Sequence, residues 1–230
     1  MHKTTAIIVA GGKGSRMGGK IKKQYLKVNN KEIIAHTLAV FEKHPQISEM
    51  IVVTSEEDRD YVKERIQHYE YKKVSQVVAG GKERQDSVAN GLEAVSEDSE
   101  YIMIHDGARP LITETIISKA LEKTYEVDAT VVAVPVKDTI KVVDTAGIVE
   151  ATPARTSLWA IQTPQTFEAT LIKEAYREAK DKGLIGTDDS TLVEALGKAV
   201  HIVEGSYSNI KVTTPEDLEI VKNLMAQPTD

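Results

Sequence analysis

The stretch that decides the fold lies near the start of the sequence and reads Ala6-Ile7-Ile8-Val9-Ala10-Gly11-Gly12-Lys13-Gly14-Ser15-Arg16-Met17-Gly18-Gly19-Lys20. Its first five residues form an unbroken apolar run, which predicts a strand buried on both faces. A glycine-rich loop follows at once. Glycines let backbone amides crowd around an anion, and open α/β sheets bind ligands at the carboxyl ends of their parallel strands. The stretch therefore predicts an anion site, with phosphate as the expected ligand.

Two common phosphate-binding loops each fail to match this stretch by one residue. The dinucleotide fingerprint G-x-G-x-x-G has Met17 where its third glycine belongs. The G-x-x-x-x-G-K-[ST] loop has Ile21 where a hydroxyl residue should follow Lys20. Glycines alone would also suit a simple hairpin, but the charge around them argues for a binding loop.

The charge of the chain is unevenly distributed. Residues 1–31 contain eight Lys or Arg and no Asp or Glu, whereas the whole chain has 35 acidic residues and a net charge of −6. A basic block is either a solvated arm or a surface that meets an anion. Because the basic residues here alternate with an apolar run and glycines, a folded anion site is favoured. The acidic total argues against a general nucleic-acid binder.

Further along the chain, apolar runs of strand type alternate with segments of helical periodicity. This pattern is typical of βαβ units, and it predicts an α/β, Rossmann-like fold with an open, mostly parallel sheet and helices on both faces. The predicted strands of the first part are 6–10, 50–54, 74–79, 101–105 and 129–134, with helices at 32–41, 55–69, 86–95 and 115–125.

The segment 136–156 departs from the alternation. Residues 139–143, the turn 144–147 and residues 148–152 predict a β-hairpin without a crossover helix. Such an arm has little core of its own, so we expect it to protrude and pack on a second subunit. Beyond it the sequence predicts strands at 158–162, 200–203 and 210–213, and helices at 170–182, at 190–196 and from Thr214 onward. We expect a single domain over 1–230.

Composition excludes several classes of protein and of chemistry. A chain of 230 residues with 41% hydrophobic and 28% charged residues is ordinary for one globular domain. Its apolar runs are far shorter than the ~20 residues that span a bilayer, and the first residues lack the features of a secretory signal, so we expect a cytoplasmic protein. The chain has no cysteine, which excludes thiolate chemistry. The six histidines are scattered singly, which gives no evidence for a zinc site.

Three further motifs carry charge or hydroxyl groups, each with a plain structural alternative. Lys22-Lys23-Gln24-Tyr25-Leu26 is either part of the anion site or a solvated charge run. Asp106, within His105-Asp106-Gly107-Ala108-Arg109-Pro110, follows a predicted strand and either holds Mg²⁺ or caps a helix. Ser87, in the turn 80–87, either contacts a ligand or begins a helix. A reaction run by positioning and charge neutralisation, such as phosphoryl or nucleotidyl transfer, suits this inventory.

Taken together, the motifs resemble those of the 2-C-methyl-D-erythritol 4-phosphate cytidylyltransferase family over nearly the whole chain. The matching segments, in order, are 10–18, 23–26, 105–110, Asp138-Thr139-Ile140-Lys141, Gln162-Thr163-Pro164-Gln165, Thr187-Asp188-Asp189 and Asn209-Ile210-Lys211. The resemblance implies that CTP condenses with a sugar-alcohol phosphate to give a CDP-alcohol and pyrophosphate, with Mg²⁺ or another divalent cation as cofactor. The sequence departs from the family pattern at Gly11, Lys22 and Lys82, where Ala, Pro and Asp are frequent.

The resemblance also implies roles for individual residues. Arg16, Lys23 and Lys211 would be catalytic cations, and Asp106 would hold the metal. Nucleotide-binding residues would be Ala10, Gly11, Gly12, Lys13, Gly14, Gly81, Ser87 and Gly107. Residues that bind the sugar-alcohol phosphate would be Asp106, Arg109, Thr139, Arg155, Thr163 and Thr187. The arm 136–156 would cross to the partner of a homodimer.

Two alternatives stay open on the sequence alone. One is a cytidylyltransferase of the same superfamily that acts on ribitol 5-phosphate, which shares much of the glycine-rich loop and the Asn-Ile-Lys pattern. The other is a nucleotide-binding regulator without catalytic activity. The presence together of Arg16, Lys23, Asp106 and Lys211 argues against the regulator, because a protein that only binds nucleotide could dispense with some of them.

Overall fold

A seven-stranded sheet forms the centre of the computed structural model, which describes residues 2–12 and 22–226. The strands are β1 (Thr4–Val9), β2 (Lys27–Val28), β3 (Lys31–Glu32), β4 (Glu49–Thr54), β5 (Val74–Ala79), β6 (Tyr101–Asp106), β7 (Ala129–Pro135), β8 (Val142–Val143), β9 (Val149–Ala151), β10 (Trp159–Glu168) and β11 (His201–Glu204). The sheet has the order β11-β7-β10-β6-β1-β4-β5, and β2–β3 and β8–β9 form two small hairpins. Only β10 runs antiparallel to its neighbours in the sheet. The predicted open, mostly parallel sheet is confirmed.

Helices cover both faces of this sheet, as the sequence predicts. The helices are α1 (Ile33–Lys43), α2 (Arg59–His68), α3 (Arg84–Glu93), α4 (Glu114–Val127), α5 (Ala169–Lys182), α6 (Asp189–Ala195) and α7 (Pro215–Ala226). Ile8 of β1 belongs to the core on the side of α1, α2 and α4, and Ile7 belongs to the opposite core with α3, α5 and α6. None of the described helices is long and apolar enough to cross a membrane.

A glycine brings α3 close to the middle of the sheet. Any Cβ at Gly91 would lie 2.8 Å from Cγ2 of Ile7 and 3.0 Å from Cγ2 of Val53, so a larger residue would push the helix outward. The start of α3 lies at the carboxyl edge of the sheet. Its position therefore depends on this close packing.

The register of the central strands aligns their carboxyl ends. Val9, the last residue of β1, lies beside Val53 of β4 and beside Asp106, the last residue of β6. The loops that follow these strands begin at the same edge, as parallel topology requires. The register thus brings the residues just after β1 close to the loop that begins at Asp106, although the two are about a hundred residues apart in sequence.

The predicted hairpin arm is present, with shorter strands than expected. The carboxylate of Asp144 accepts hydrogen bonds from the backbone N–H groups of Ala146 (2.9 Å) and Ile148 (2.8 Å), which closes the turn between β8 and β9. The apolar side chains of the arm are exposed to solvent: Ile140, Val142, Val143, Ile148 and Val149. The arm therefore presents an apolar surface that the described part of the chain leaves uncovered.

The predicted strand at 210–213 is wrong, because this segment is irregular. Val212 is fully buried, but it packs with Val28 and Val221 in a small core beside α7. The backbone N–H of Val212 donates to the carbonyl of Ala108 (2.9 Å) in the loop after β6. The apolar residues of 210–213 thus reflect burial outside the sheet.

Candidate active site

Two cavities meet at the carboxyl edge of the sheet. The larger has a volume of about 480 Å³ and the smaller of about 300 Å³. Arg84, Asp106 and Lys211 line both of them. The larger cavity is also lined by residues of the glycine-rich loop, the lysine turn and the β5–α3 turn, among them Ala10, Gly11, Gly12, Lys22, Lys23, Gly80, Gly81, Lys82 and Ser87. The smaller is lined on its other side by Arg109, Ile161, Gln162, Thr163, Gln165, Thr187 and Asp188.

Lys23 reaches the larger cavity because the two residues that follow it, Gln24 and Tyr25, are anchored beneath it. Lys23, Gln24 and Tyr25 form one turn of 3-10 helix in which Gln24 and Tyr25 are buried. Nε2 of Gln24 donates to the carbonyl of Ala10 (2.7 Å), and the hydroxyl of Tyr25 pairs with Oγ1 of Thr54 (2.8 Å). These bonds tie the turn to the ends of β1 and β4, and Lys23 lines the cavity above them.

Lys22 is held within the cavity wall. Its Nζ donates to Oγ of Ser55 (2.8 Å), to Glu57 (2.6 Å) and to Asp58 (2.7 Å), all in the turn after β4. Burial opposes the charge, but hydrogen bonds to Asp58 and Glu57 raise the pKa of Lys22. In this structure Lys22 fastens the lysine turn to the opposite wall of the cavity.

Asp106 lies at the junction of the two cavities and is surrounded by cations. Its Oδ2 lies 2.8 Å from Nζ of Lys211 and 3.6 Å from Nε of Arg109, and its Oδ1 lies 3.3 Å from Nε of Arg84. Burial alone would raise the pKa of Asp106, but the charges of Lys211, Arg84 and Arg109 hold it well below its usual range. The carboxylate is therefore ionised, and three cations converge on one point.

A buried hydrogen-bond chain supports the loop that carries Asp106. Oγ1 of Thr163 accepts from the backbone N–H of Asp106 (3.1 Å) and pairs with Nδ1 of His105 (3.0 Å). Nε2 of His105 lies 3.3 Å from the carbonyl of Arg109. Burial lowers the pKa of His105 to about 3, so its ring is neutral and can serve as acceptor at Nδ1 and donor at Nε2. His105 and Thr163 thus link both ends of the 106–109 loop to β10.

Asn209 determines where Lys211 lies. Its side chain is fully buried, and its Nδ2 donates to Oε1 of Gln162 (3.1 Å) and to the carbonyl of Thr163 (2.9 Å). The carbonyl of Asn209 in turn accepts from Nη1 of Arg109 (2.8 Å). The irregular segment is therefore fastened to β10 and to the Asp106 loop, which brings Lys211 to the junction.

The turn between β5 and α3 forms a second wall of the larger cavity. A Cβ at Gly81 would overlap the Cβ of Asp86, so the turn requires glycine there. The hydroxyl of Ser87 accepts from the backbone N–H of Gly81 (3.1 Å) and donates to the carbonyl of Glu83 (3.0 Å). Glu83 and Asp86 form a capping box, and α3 begins at Arg84. The arrangement puts the guanidinium of Arg84 at the cavity junction.

Comparison with known proteins identifies the family. The model of the family IspD, 2-C-methyl-D-erythritol 4-phosphate cytidylyltransferase, matches residues 4–227. The chain belongs to this family.

Individual IspD relatives agree over almost their full length. The 2-C-methyl-D-erythritol 4-phosphate cytidylyltransferase of Alkaliphilus metalliredigens is 52% identical over 229 residues, which cover 99% of this chain and 95% of that protein. The enzyme of the same name from Clostridioides difficile is 48% identical over 96% of this chain and 93% of that one. The crystal structure of 4-diphosphocytidyl-2C-methyl-D-erythritol synthase from Anaerococcus prevotii superposes with a TM-score of 0.89 at 32% identity, covering 98% of this chain and 97% of that one. The ribitol 5-phosphate enzyme and the regulator are not favoured by these matches.

Most of the residues predicted from the IspD resemblance lie around the two cavities. The larger cavity is lined by Ala10, Gly11, Gly12, Lys23, Gly81 and Ser87, the smaller by Arg109, Thr163 and Thr187, and both by Asp106 and Lys211. Gly107 lies buried behind the cavity lining, where its N–H donates to the carbonyl of Val9 (2.8 Å). Lys13, Gly14 and Arg16 lie outside the described residues. Thr139 and Arg155 are exposed on the arm, where Nη1 of Arg155 donates to the carbonyl of Lys137 (2.9 Å).

Sequence reasoning missed the residues that hold this IspD site in place. Arg84 lies in the turn 80–87 of the sequence analysis, but nothing there distinguished this arginine from the other charged residues of the turn as a site residue. Gln24, Asn209 and Asp189 stand in quoted motifs, and each bonds to a partner far away in the sequence or to the backbone of another loop. No local sequence pattern indicates these bonds, because folding alone brings the partners together.

The residues at the junction are compatible with Mg²⁺. Within residues 2–12 and 22–226, no group of three or more His, Asp or Glu side chains is arranged to hold a metal ion by itself. Asp106 is an ionised oxygen ligand that lines both cavities. Mg²⁺ usually takes one or two protein carboxylates and completes its shell with water and substrate phosphates. The single carboxylate of Asp106 is therefore sufficient as the protein ligand of such an ion.

Proposed function

We propose that this chain catalyses the reaction that its family name describes, the transfer of the cytidylyl group of CTP to 2-C-methyl-D-erythritol 4-phosphate with release of pyrophosphate. The observation that carries the proposal is the junction of two cavities at Arg84, Asp106 and Lys211. A group-transfer enzyme needs two substrates side by side with their reacting atoms in contact. Two cavities that share three charged side chains meet this requirement.

The lining of each cavity indicates its substrate. The larger cavity takes CTP, because the glycine-rich loop and Lys23 suit a triphosphate, and Gly81 with Ser87 suits the base and ribose. The smaller takes the sugar-alcohol phosphate, with Arg109 for the phosphate and Thr163 and Thr187 for hydroxyls. Because the hydroxyls of Thr163 and Ser87 already bond within the protein, each offers a substrate only its remaining acceptor capacity.

The reaction needs no general base. A phosphate monoester has a second pKa of ~6 and is largely a dianion at neutral pH, so its oxygen attacks the α-phosphorus of CTP directly. One P–O bond forms, and the bond between the α-phosphorus and the bridging oxygen breaks, which releases pyrophosphate. The physical difficulty is the repulsion between two anions. Catalysis therefore depends on cations placed where negative charge accumulates.

Lys23 in the larger cavity and Lys211 at the junction supply such cations. Arg16, which lies outside the described residues, is proposed as a third cation, on the α-phosphate. Mg²⁺, when bound, neutralises charge on the triphosphate, and Asp106 is the residue proposed to hold it. Asp106 also keeps Arg84, Arg109 and Lys211 converged before the substrates arrive.

We further propose that the chain forms a homodimer in the cytoplasm. The exposed apolar side chains of the arm suit a homodimer in which the arm 136–156 packs on the partner, and Thr139 and Arg155 then complete the partner's smaller cavity. CTP is an intracellular nucleotide, which favours a cytoplasmic location.

Pyrophosphate release from CTP tests the proposal. The purified chain is incubated with CTP and Mg²⁺, and with 2-C-methyl-D-erythritol 4-phosphate or ribitol 5-phosphate in turn. We expect rapid release with the erythritol substrate and little with the ribitol substrate. Preference for ribitol 5-phosphate would identify the other cytidylyltransferase, and CTP binding without release for either substrate would identify a regulator.

A further inference from the structure

Arg84 is tied to two carboxylates by one guanidinium group. Its Nη1 and Nη2 donate to the two oxygens of Asp189, at 2.9 and 2.7 Å, and its Nε lies 3.3 Å from Oδ1 of Asp106. Arg84 is the first residue of α3 and Asp189 the first residue of α6. The ion pair therefore joins the junction of the cavities to the helices on one face of the sheet.

Asp189 is built to hold this guanidinium in one orientation. Its side chain is 0% exposed, and its Oδ1 also accepts from the hydroxyl of Tyr176 in α5 (2.6 Å). Burial and the charge of Asp189 raise the pKa of Tyr176, so the hydroxyl keeps its proton and donates. Two parallel N–H···O bonds fix the plane of a guanidinium far better than a single contact does. Rotation of Arg84 would leave a buried carboxylate without its partner, which is strongly unfavourable.

The contacts leave Arg84 capacity for a ligand. A guanidinium has five N–H groups, and the bonds to Asp189 and Asp106 use three of them. The side chain is 30% exposed and lines both cavities. Two N–H groups are thus left for an anion, as far as the partners among residues 2–12 and 22–226 are concerned.

We propose that Asp189, supported by Tyr176, is a positioning residue that fixes the guanidinium of Arg84 at the junction where the two substrate phosphates meet. The inference rests on the proposed function, since Arg84 matters for catalysis only if both cavities hold phosphates. Asp189 and Tyr176 themselves lie behind Arg84. They act on the reaction only through its orientation, whereas Arg84 contacts the substrates.

A matched pair of tyrosine variants separates this role from simple stabilisation. Tyr176→Phe removes one hydroxyl that donates to Asp189, and Tyr71→Phe removes one buried hydroxyl that donates to the carbonyl of Ala35 (2.6 Å), away from both cavities. Both variants lose one hydrogen bond and keep the ring. We expect both to melt at lower temperature, but only Tyr176→Phe to lower kcat, by about threefold to tenfold, because a misaligned cation stabilises the transition state less well.

Asp189→Asn is the stronger variant. An amide replaces one acceptor oxygen by a donor, which breaks the two-point contact with Arg84 while keeping the volume. We expect kcat to fall by about ten- to a hundredfold with a much smaller change in the KM of either substrate. Its circular dichroism spectrum should match that of the original chain. Because Tyr176 acts through Asp189, adding Tyr176→Phe to Asp189→Asn should lower kcat little further.

Chemical rescue tests the geometry directly. Arg84→Ala removes the guanidinium and leaves Asp189 facing the cavity, so free guanidinium ion at concentrations well below those that unfold proteins should restore part of the activity. Sodium chloride at equal ionic strength should not restore it, which controls for screening. Adding Asp189→Asn to Arg84→Ala should abolish the rescue, because nothing then orients the added ion.

The outcomes distinguish failure of this inference from failure of the proposed function. If the original chain releases no pyrophosphate, the proposed function is wrong. If the original chain is active and folded Asp189→Asn has the same kcat, or if rescue of Arg84→Ala is unaffected by Asp189→Asn, the positioning role is wrong. Equal kcat in Tyr176→Phe and Tyr71→Phe would remove Tyr176 from the arrangement.

Discussion

At the scale of single residues, Gln24 and Tyr25 determine where Lys23 lies. Gln24 donates a hydrogen bond to the carbonyl of Ala10, and Tyr25 pairs with Thr54. The turn that contains both residues is therefore fixed to the ends of β1 and β4. Lys23 therefore lines the larger cavity. A cation placed in advance costs no rearrangement when charge develops, which is why such groups contribute strongly to catalysis.

Lys23→Ala should lower turnover sharply and leave the fold intact. By analogy with the loss of one oxyanion-hole donor, the barrier should rise by ~3 kcal/mol, which corresponds to a fall in kcat of about 10²–10³-fold. The measurement is steady-state pyrophosphate release, with the melting temperature recorded in parallel. Near-normal turnover would remove Lys23 from the mechanism.

Lys72→Ala is the matched control for this prediction. Lys72 is an exposed lysine that follows α2, outside the lining of both cavities as described. Both variants lose one positive charge from the whole molecule. We expect Lys72→Ala to keep kcat within twofold, since an exposed charge outside the site is largely screened. An equal loss in both variants would point to net charge, and not to position, as the cause.

At the scale of elements, Glu32 connects the β2–β3 hairpin, α1 and α2. It is the last residue of the β2–β3 hairpin and precedes α1, and its side chain is only 1% exposed. The carboxylate accepts hydrogen bonds from Tyr69 (2.7 Å), just after α2, and from Tyr61 (3.3 Å) within α2. Burial opposes ionisation, but the hydrogen bonds from Tyr69 and Tyr61 and the charge of Lys27 lower the pKa of Glu32. The hairpin follows the lysine turn directly, so Glu32 supports the base of the site.

Glu32→Gln should destabilise the chain by about 1–3 kcal/mol at neutral pH, because an amide cannot accept all the bonds that the carboxylate accepts. The free energy of unfolding by urea measures this. Since the folded pKa of Glu32 lies below its ordinary value of 4.5, its contribution to stability is present above that value and is lost as the pH falls. The variant should therefore lose less stability than the original chain between about pH 5 and pH 3. Parallel acid profiles would exclude this linkage.

The elements also explain how far the sequence could predict the fold. β1, β4 and β6 were predictable because they are buried on both faces and consist of apolar runs. β10 was predicted only over 158–162, although it continues to Glu168, because Thr163, Gln165 and Thr166 carry no apolar pattern and pair with β6 and β7 through the backbone. At 210–213 the error is the reverse, since the apolar residues there pack beside α7 and not in the sheet.

The same contrast holds in the candidate site. Asp106 could be proposed from its place after a predicted strand, and Lys23 from a basic segment without acidic residues, because open α/β sheets bind anions and metals at the carboxyl ends of their strands. The role of Lys211 came only from the resemblance to the family. Gln24 and Asp189 were not predictable, because they act by bonding to groups that folding alone brings near. Asp189 and Arg84 are 105 residues apart, and no local pattern connects them.

At the scale of the whole molecule, the arm 136–156 is exposed in the single chain, and so are the two predicted substrate residues that it carries. Its apolar side chains are 41–65% exposed, which is expensive unless another surface covers them. Thr139 and Arg155 lie on this exposed arm, whereas the other predicted substrate residues within the described part of the chain lie at the cavities. A second copy that receives the arm would resolve both observations at once. In a symmetric dimer each arm then serves the partner's cavity.

Complementation between two inactive variants tests this arrangement. Lys23→Ala disables the cavity of its own chain, and Arg155→Ala disables the arm that serves the partner. In a mixed dimer, the chain with intact Lys23 receives the arm with intact Arg155, so one of the two sites is restored. Random exchange should give roughly one quarter of the original activity, because half of the dimers are mixed and each has one working site.

The assay mixes the two purified variants, allows subunit exchange, and follows pyrophosphate release, with sedimentation recording the dimer. The double variant Lys23→Ala/Arg155→Ala mixed with the unsubstituted chain provides the control. There each site of a mixed dimer carries one defect, so activity should fall below the amount of unsubstituted chain added. If the dimers exchange and activity stays at the level of the separate variants, Arg155 serves its own chain and the arm does not complete the partner's site.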